Sequence, residues 1–195
     1  MKKRILGFLM IATVLIGCNS VQKELTSAYN ITKCEYSYKS ISGIKVSGMN
    51  LSNGVSITQI PKITSILSGN ASSIPLDFTL NLNIKNPNES AAILHGLQYV
   101  ISIDDIEFTK GAVNETLNIA AGESQSLPLN IGVDLATLAR TNSQETIVEI
   151  AKNFVGIGSQ KSNVSVKLKP TFMIGNTPIT SPTYFPVNFS FGGGK

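Results

Sequence analysis

Between Leu76 and Lys85 apolar and polar side chains alternate without a break: Leu76, Phe78, Leu80, Leu82 and Ile84 against Asp77, Thr79, Asn81, Asn83 and Lys85. A period of two predicts a β-strand with one buried face and one wet face. Pro87 removes a ladder donor and constrains Asn86, while asparagine side chains bond to nearby backbone. Asn86-Pro87-Asn88 therefore predicts the end of that strand and a tight turn. The same period returns in Gly96–Ile103, with Asp104-Asp105 as the hairpin turn before Ile106–Thr109 and Gly111. Further strands are predicted over Tyr36–Val46, Gly48–Asn53, Glu115–Ala120, Ser126–Val133, Asn163–Ile174 and Tyr184–Phe191. The last two are divided by Gly175–Pro178 and by Ser181-Pro182. Ser56–Ser68 is ambiguous, because Ile57, Ile60, Ile63, Ile66 and Leu67 fit a helix that Pro61 interrupts.

The period shifts to that of a helix after Asn142. Asn142 and Glu145 have capping-box spacing, Ile147, Ile150, Ala151, Phe154 and Val155 share one helical face, and Gly156 and Gly158 follow as stop signals. One amphipathic helix is predicted at about 143–155. Many short strands with a single helix predict an all-β fold, an antiparallel β-sandwich. The final Gly192-Gly193-Gly194-Lys195 is expected to be a disordered tail.

The first eighteen residues follow neither period. Lys2, Lys3 and Arg4 precede an apolar run from Ile5 to Ile16, which is shorter than the roughly 20 residues of a membrane span, and Leu15-Ile16-Gly17-Cys18 closes it. The pattern resembles a bacterial lipoprotein leader. Residues 1–17 are expected to be removed and Cys18 to carry the lipid, with residues 18–35 as lipidated N-terminus and tether and 36–191 as one domain. Two or three acyl chains on one residue satisfy the two-signal requirement for stable anchoring. Loss of the leader takes three of the sixteen basic residues, leaving thirteen against twelve acidic ones, net +1. No basic block with interleaved aromatics remains, so nucleic acid is not an expected partner.

Candidate chemistry is sparse. With Cys18 lipidated, Cys34 has no intramolecular partner and reads as a buried or tether thiol. His95 is the single histidine, so zinc sites of familiar spacing cannot be assembled, and no metal or cofactor is expected. Asp104 and Asp105 read as turn residues, and Gly156-Ile157-Gly158 follows a helix where a phosphate loop would open one.

The order of elements, an alternating strand ending in Asn86-Pro87-Asn88, then Leu97–Ile103, the turn and Gly111, then Ile119–Val133 and a helix, is similar to the late embryogenesis abundant type 2 family. That family includes the water stress and hypersensitive response (WHy) domain. The resemblance extends over about residues 60–190 and is greatest to a lipoprotein branch of Bacteroides-type bacteria, with Ser73–Leu76 and Ser181-Pro182 as further matches. It implies an immunoglobulin-like or fibronectin-III-like sandwich and a non-enzymatic role in stress tolerance. Plant members are largely unlipidated, so the fold transfers while their intracellular role does not.

The resulting expectation is a lipid-anchored envelope protein acting as a non-catalytic binding or stress-protective module, with an envelope protein or glycan as its partner. Asn19, rather than aspartate, follows Cys18, and no acidic run comes after it, which points to the periplasmic face of the outer membrane. The alternative is a small-ligand carrier or an enzyme with a loop-built site near His95 and Tyr99. Replacing Cys18→Ser should abolish acylation and move the protein out of the membrane fraction. Fractionation with a labelled fatty acid checks this, and membrane retention without label would refute the anchor.

Overall fold

The computed structural model describes residue 22 and residues 25–69 and 71–193. Residues 1–17, Cys18 and the end of the glycine tail lie outside the described residues. Helix α1 covers 25–33. It is followed by β1 (Glu35–Val46), β2 (Met49–Asn50), α2 (Ile60–Ser68), β3 (Pro75–Lys85), β4 (Ala92–Leu94), β5 (Gly96–Ile103) and β6 (Ile106–Val113). The chain continues through β7 (Leu117–Ile119), β8 (Ser124–Asp134), α3 (Leu135–Thr141), α4 (Gln144–Phe154), β9 (Lys161–Ile174), β10 (Thr177–Thr180) and β11 (Phe185–Gly192). None of the helices among the described residues is long and apolar enough to cross a membrane.

Two antiparallel sheets face each other, one ordered β2-β1-β3-β8 and the other β10-β9-β5-β6 with β11 also on β9; β4 and β7 form a small ladder of their own. The alternation read in β3 sets the core. Leu80 lies opposite Leu129 and Leu82 opposite Leu127 in one sheet, and Tyr99 opposite Leu168 and Ile101 opposite Val166 in the other. All eight belong to one buried cluster. Each fully buried aliphatic side chain of this size contributes roughly 1.5–3 kcal/mol. The opposite face of the first sheet is a polar array in which Asn81 donates to Ser40 and Ser42, and Thr79 donates to Asn130.

Helix is more abundant than the single predicted element. The ambiguous stretch folds as α2, because Pro61 falls in the first turn, where a missing N–H breaks no helical bond. Helix α3 begins where the Asp134 carboxylate accepts from the Ala136 N–H at 2.9 Å. Ser143, and not Asn142, caps α4, its hydroxyl accepting from the Thr146 N–H; Asn142 instead closes α3 through Leu138 O. The predicted apolar face of α4, Ile147 to Val155, is buried as expected. Gly156 ends the helix in the left-handed region at φ +81°. Gly158 serves close approach instead, since a Cβ there would run into Asn153.

Two segments differ from the expectation at the termini. Residues 25–33, expected as tether, form α1 with Ile31 fully buried and Asn30 nearly so. Gly192, expected in a loose tail, ends β11 opposite Lys161. Their apolar or backbone partners come from distant parts of the chain, which local composition does not reveal.

Asn86-Pro87-Asn88 does more than end a strand. Asn86 is completely buried, and its amide donates to the carbonyls of Ser90, Ile119 and Ala120 at 2.9, 2.9 and 3.1 Å. Its Oδ1 accepts from the Asn88 N–H and side-chain amide at 3.1 and 2.7 Å, and Asn88 donates onward to Asn30 O. Asn30 in turn donates to Ser90 and to Ala91 O. Asn86→Ala is expected to cost about 2–4 kcal/mol, because buried carbonyls lose their donor. Urea unfolding of the variant checks this, and a cost below 1 kcal/mol would show that the amide is dispensable.

Candidate functional site

The three helices α2, α3 and α4 gather at the end of the sandwich where β3 begins, and they enclose a cleft of about 280 Å³. Helix α3 supplies Leu135, Ala136, Ala139 and Arg140, spaced to share one helical face, and α4 supplies Gln144, Ile147 and Val148. Ala136, Ala139, Gly69 and Ala71 are too small to fill the space between them. Arg140 is the one charged residue among the described lining. Its Nη2 donates to Ser72 O at 2.8 Å, which holds the exposed guanidinium at the rim.

Asp134 fixes the geometry of this end. Its Oδ1 accepts from both the Ile74 and Ala136 N–H groups at 2.9 Å, tying the approach to β3 to the start of α3. The Ile74 N–H first, and the Ser73 side chain next, hold the carboxyl below its ordinary value. The ionised form therefore supports the fold at neutral pH, and that support is lost as pH falls through the lowered pKa.

A second hollow of about 450 Å³ lies at the opposite end, lined by Ser27 and Ala28 of α1 with Ile93, His95, Phe172, Met173 and Gly175. His95 is half-buried there, and its backbone N–H donates to Thr171 O at 2.8 Å. Tyr99 is not part of it: four residues of extended chain carry it about 13 Å along β5. Its ring lies over Gly111 of β6, where a Cβ would come within 2.6 Å of the phenol oxygen. The two residues paired by the alternative reading are thus not brought together, and Tyr99 is a packing residue whose phenol burial pushes up in pKa.

Asp104 and Asp105 occupy a two-residue hairpin turn with φ of +47° and +66°, both in the left-handed region that type I′ turns require. Asp104 Oδ1 accepts from the Asn163 N–H at 2.8 Å, so its carboxylate is spent on holding the turn to β9. Among the described residues no group of three His, Cys, Asp or Glu side chains converges as a metal site. Cys18 lies outside the described residues. The cleft was not read from the sequence, although Asp134 before Leu135-Ala136-Thr137-Leu138 is a cap signal followed by helical spacing.

No protein-family model matches the chain, and no curated protein does. Among solved structures it is similar to a late embryogenesis abundant protein solved in solution, at 13% identity over 93% of this chain and 89% of that one, with a TM-score of 0.42. It is also similar to an Arabidopsis thaliana protein solved in solution, at 11% identity over 62% and 72% of the two chains, TM-score 0.42. A crystal structure of an Archaeoglobus fulgidus protein is similar at 14% identity over 81% and 98%, TM-score 0.37. One protein described as late embryogenesis abundant is thus among the structural neighbours of this mainly β fold.

Cys34 sits buried between α1 and β1, and burial first, then the nearby Glu35 charge, push its thiol up to about 11 from 9.0. Two pKa units lower the thiolate fraction about 100-fold at pH 8. Iodoacetamide should therefore modify Cys34 about 100-fold more slowly in the native chain lacking residues 1–18 than in urea. Mass spectrometry over time checks this, and equal rates would mean an open, reactive thiol.

Proposed function

We propose that this chain is a lipid-anchored envelope protein whose β-sandwich acts as a non-catalytic binding module for small amphiphiles with an acidic head group. The cleft between α2, α3 and α4 carries the reading: a hollow in which aliphatic side chains share an evenly polar and apolar lining, with the Arg140 guanidinium at its rim as the single described charge. A guanidinium pairs with a carboxylate or phosphate through two parallel hydrogen bonds, while the aliphatic walls accept a hydrocarbon body. Its volume falls just under the roughly 300–1,000 Å³ of small-molecule sites, so the body is short. Ser72 supplies the one hydroxyl in the described lining, which includes no histidine, carboxylate, cysteine or lysine to activate a nucleophile. The leader ending at Cys18 supports the anchor and the periplasmic face of the outer membrane, and the family resemblance supports a protective role during stress.

Octanoate should raise the melting temperature of the chain lacking residues 1–18, and octylamine should not. Arg140→Ala should weaken octanoate binding about tenfold, the loss of one charge-assisted contact. Calorimetric titration checks both, and octanoate binding unchanged by Arg140→Ala, or absent altogether, would remove the reading.

A further inference from the structure

The two ends of the sandwich are chemically different, and the sequence attaches the anchor to only one of them. β3 runs from Pro75 at the cleft to Lys85 beside α1, so its length separates the ends by about 33 Å. Helix α1 is docked on the loops of the far end: Asn30 donates to Ser90 and Ala91, Asn88 donates to Asn30 O, and the Ile93 N–H donates to Ser27. Leu25 follows Cys18 by seven residues, a reach of at most about 25 Å even fully extended. A lipid on Cys18 therefore keeps α1 close to the bilayer surface.

What α1 offers to that surface is mixed: Leu25 and Tyr29 stand beside exposed Thr26 and Lys33. Ala28, Asn30 and Ile31 turn inward, while Leu25 and Tyr29, one helical turn apart, stay 48% and 61% exposed. Lys33 lies over the Tyr29 ring with its ammonium 5.2 Å from the centroid. An aliphatic, an aromatic and a cationic group together are the composition of an interfacial helix face, with the tyrosine at headgroup depth. Beside it opens the hollow of Ile93, Phe172 and Met173. The broad outer face of the first sheet is an array of Ser, Thr and Asn and has nothing to gain from lipid. Ile57, 86% exposed, and its neighbour Ile60 at the cleft end, with Tyr38 in β1 and Tyr184 just before β11, are the competing exposed hydrophobics, and Tyr184 too lies under a lysine, Lys169; the expected anchor at Cys18 leads to none of them.

We propose that the α1 end of the sandwich rests on the phospholipid interface, with Leu25 and Tyr29 among the headgroups, and that the cleft consequently faces away from the membrane. This rests on the lipid anchor at Cys18 but not on what the cleft binds. The chain contains no tryptophan, so one introduced indole reports unambiguously. Acylated full-length protein carrying Tyr29→Trp, or Leu25→Trp as a second reporter, is reconstituted in phosphatidylcholine vesicles with and without brominated chains; neutral lipid suits an end that also carries Glu89, Glu115 and Glu123. Both reporters should shift to the blue and lose most of their emission to bromine, whereas Ile57→Trp should do neither. If the protein floats with the vesicles but Tyr29→Trp and Leu25→Trp stay unquenched, the orientation is wrong while the anchor stands. Burial of α1 against a second copy would give that unquenched result together with a cross-linked dimer. If mass spectrometry finds no acyl chain and the protein does not float, the anchor fails and the orientation with it.

Discussion

One fully buried side-chain amide, Asn86, holds together parts of the chain that no sheet ladder joins. It sits where β3 leaves the core, and a polar group in that position is tolerated only if every hydrogen-bonding valence is met. The two amide hydrogens serve the carbonyls of Ser90, Ile119 and Ala120, and the oxygen gathers Asn88. The backbone of the same residue closes the circle, with the Asn86 N–H donating to Glu123 O and Gly122 donating to Asn86 O. Through Asn88 and Asn30 the network extends to α1, so the position of the N-terminal helix depends on a turn in the middle of the chain. Tyr36 adds a second latch by donating its phenol to Ile31 O at 3.0 Å.

The opposite end is organised by aromatic rings instead of amides. Phe154 of α4 packs 4.5 Å from Phe78 in the first sheet and 4.9 Å from Phe191 in the second, joining both layers and the helix in one contact. At the sandwich edge Tyr38 stacks on Phe189 at 4.0 Å, and Tyr36 meets Phe185 at 5.5 Å. Such pairs add about 0.5–1.5 kcal/mol each beyond the area they bury. Phe154 pins the last turn of α4, while Gln144, Ile147 and Val148 nearer its start line the cleft together with α3 and the end of α2. A polar latch at the α1 end and an apolar pin at the cleft end thus give the molecule its polarity.

Strands were legible wherever one face is buried and the other wet, because burial then writes a period of two directly into the chain. β3, β5 and β8 follow that rule, and the face of α4 follows its helical counterpart. Short elements left weaker traces: α3 spans seven residues and β4 only three, below the length at which a period stands out. α1 was hidden by its composition, since Ser27, Asn30 and Thr32 look like tether residues until their partners are known. The candidate site was almost wholly illegible. Arg140 and Ser72 are far apart in sequence, and their alignment at one rim follows from packing.

By itself the sequence determined the two-layer β character, the strand that organises the core and the terminator after it. All of these rest on interactions between neighbours or on a local period. Only the tertiary structure decided that Asn86 is a hub, that α1 is a docked element, that His95 and Tyr99 lie apart, and that a cleft opens between α2, α3 and α4. Those facts depend on which distant surfaces meet, and one chain's local pattern does not encode them, because a buried hydrogen bond or a hollow exists only once both of its sides are in place.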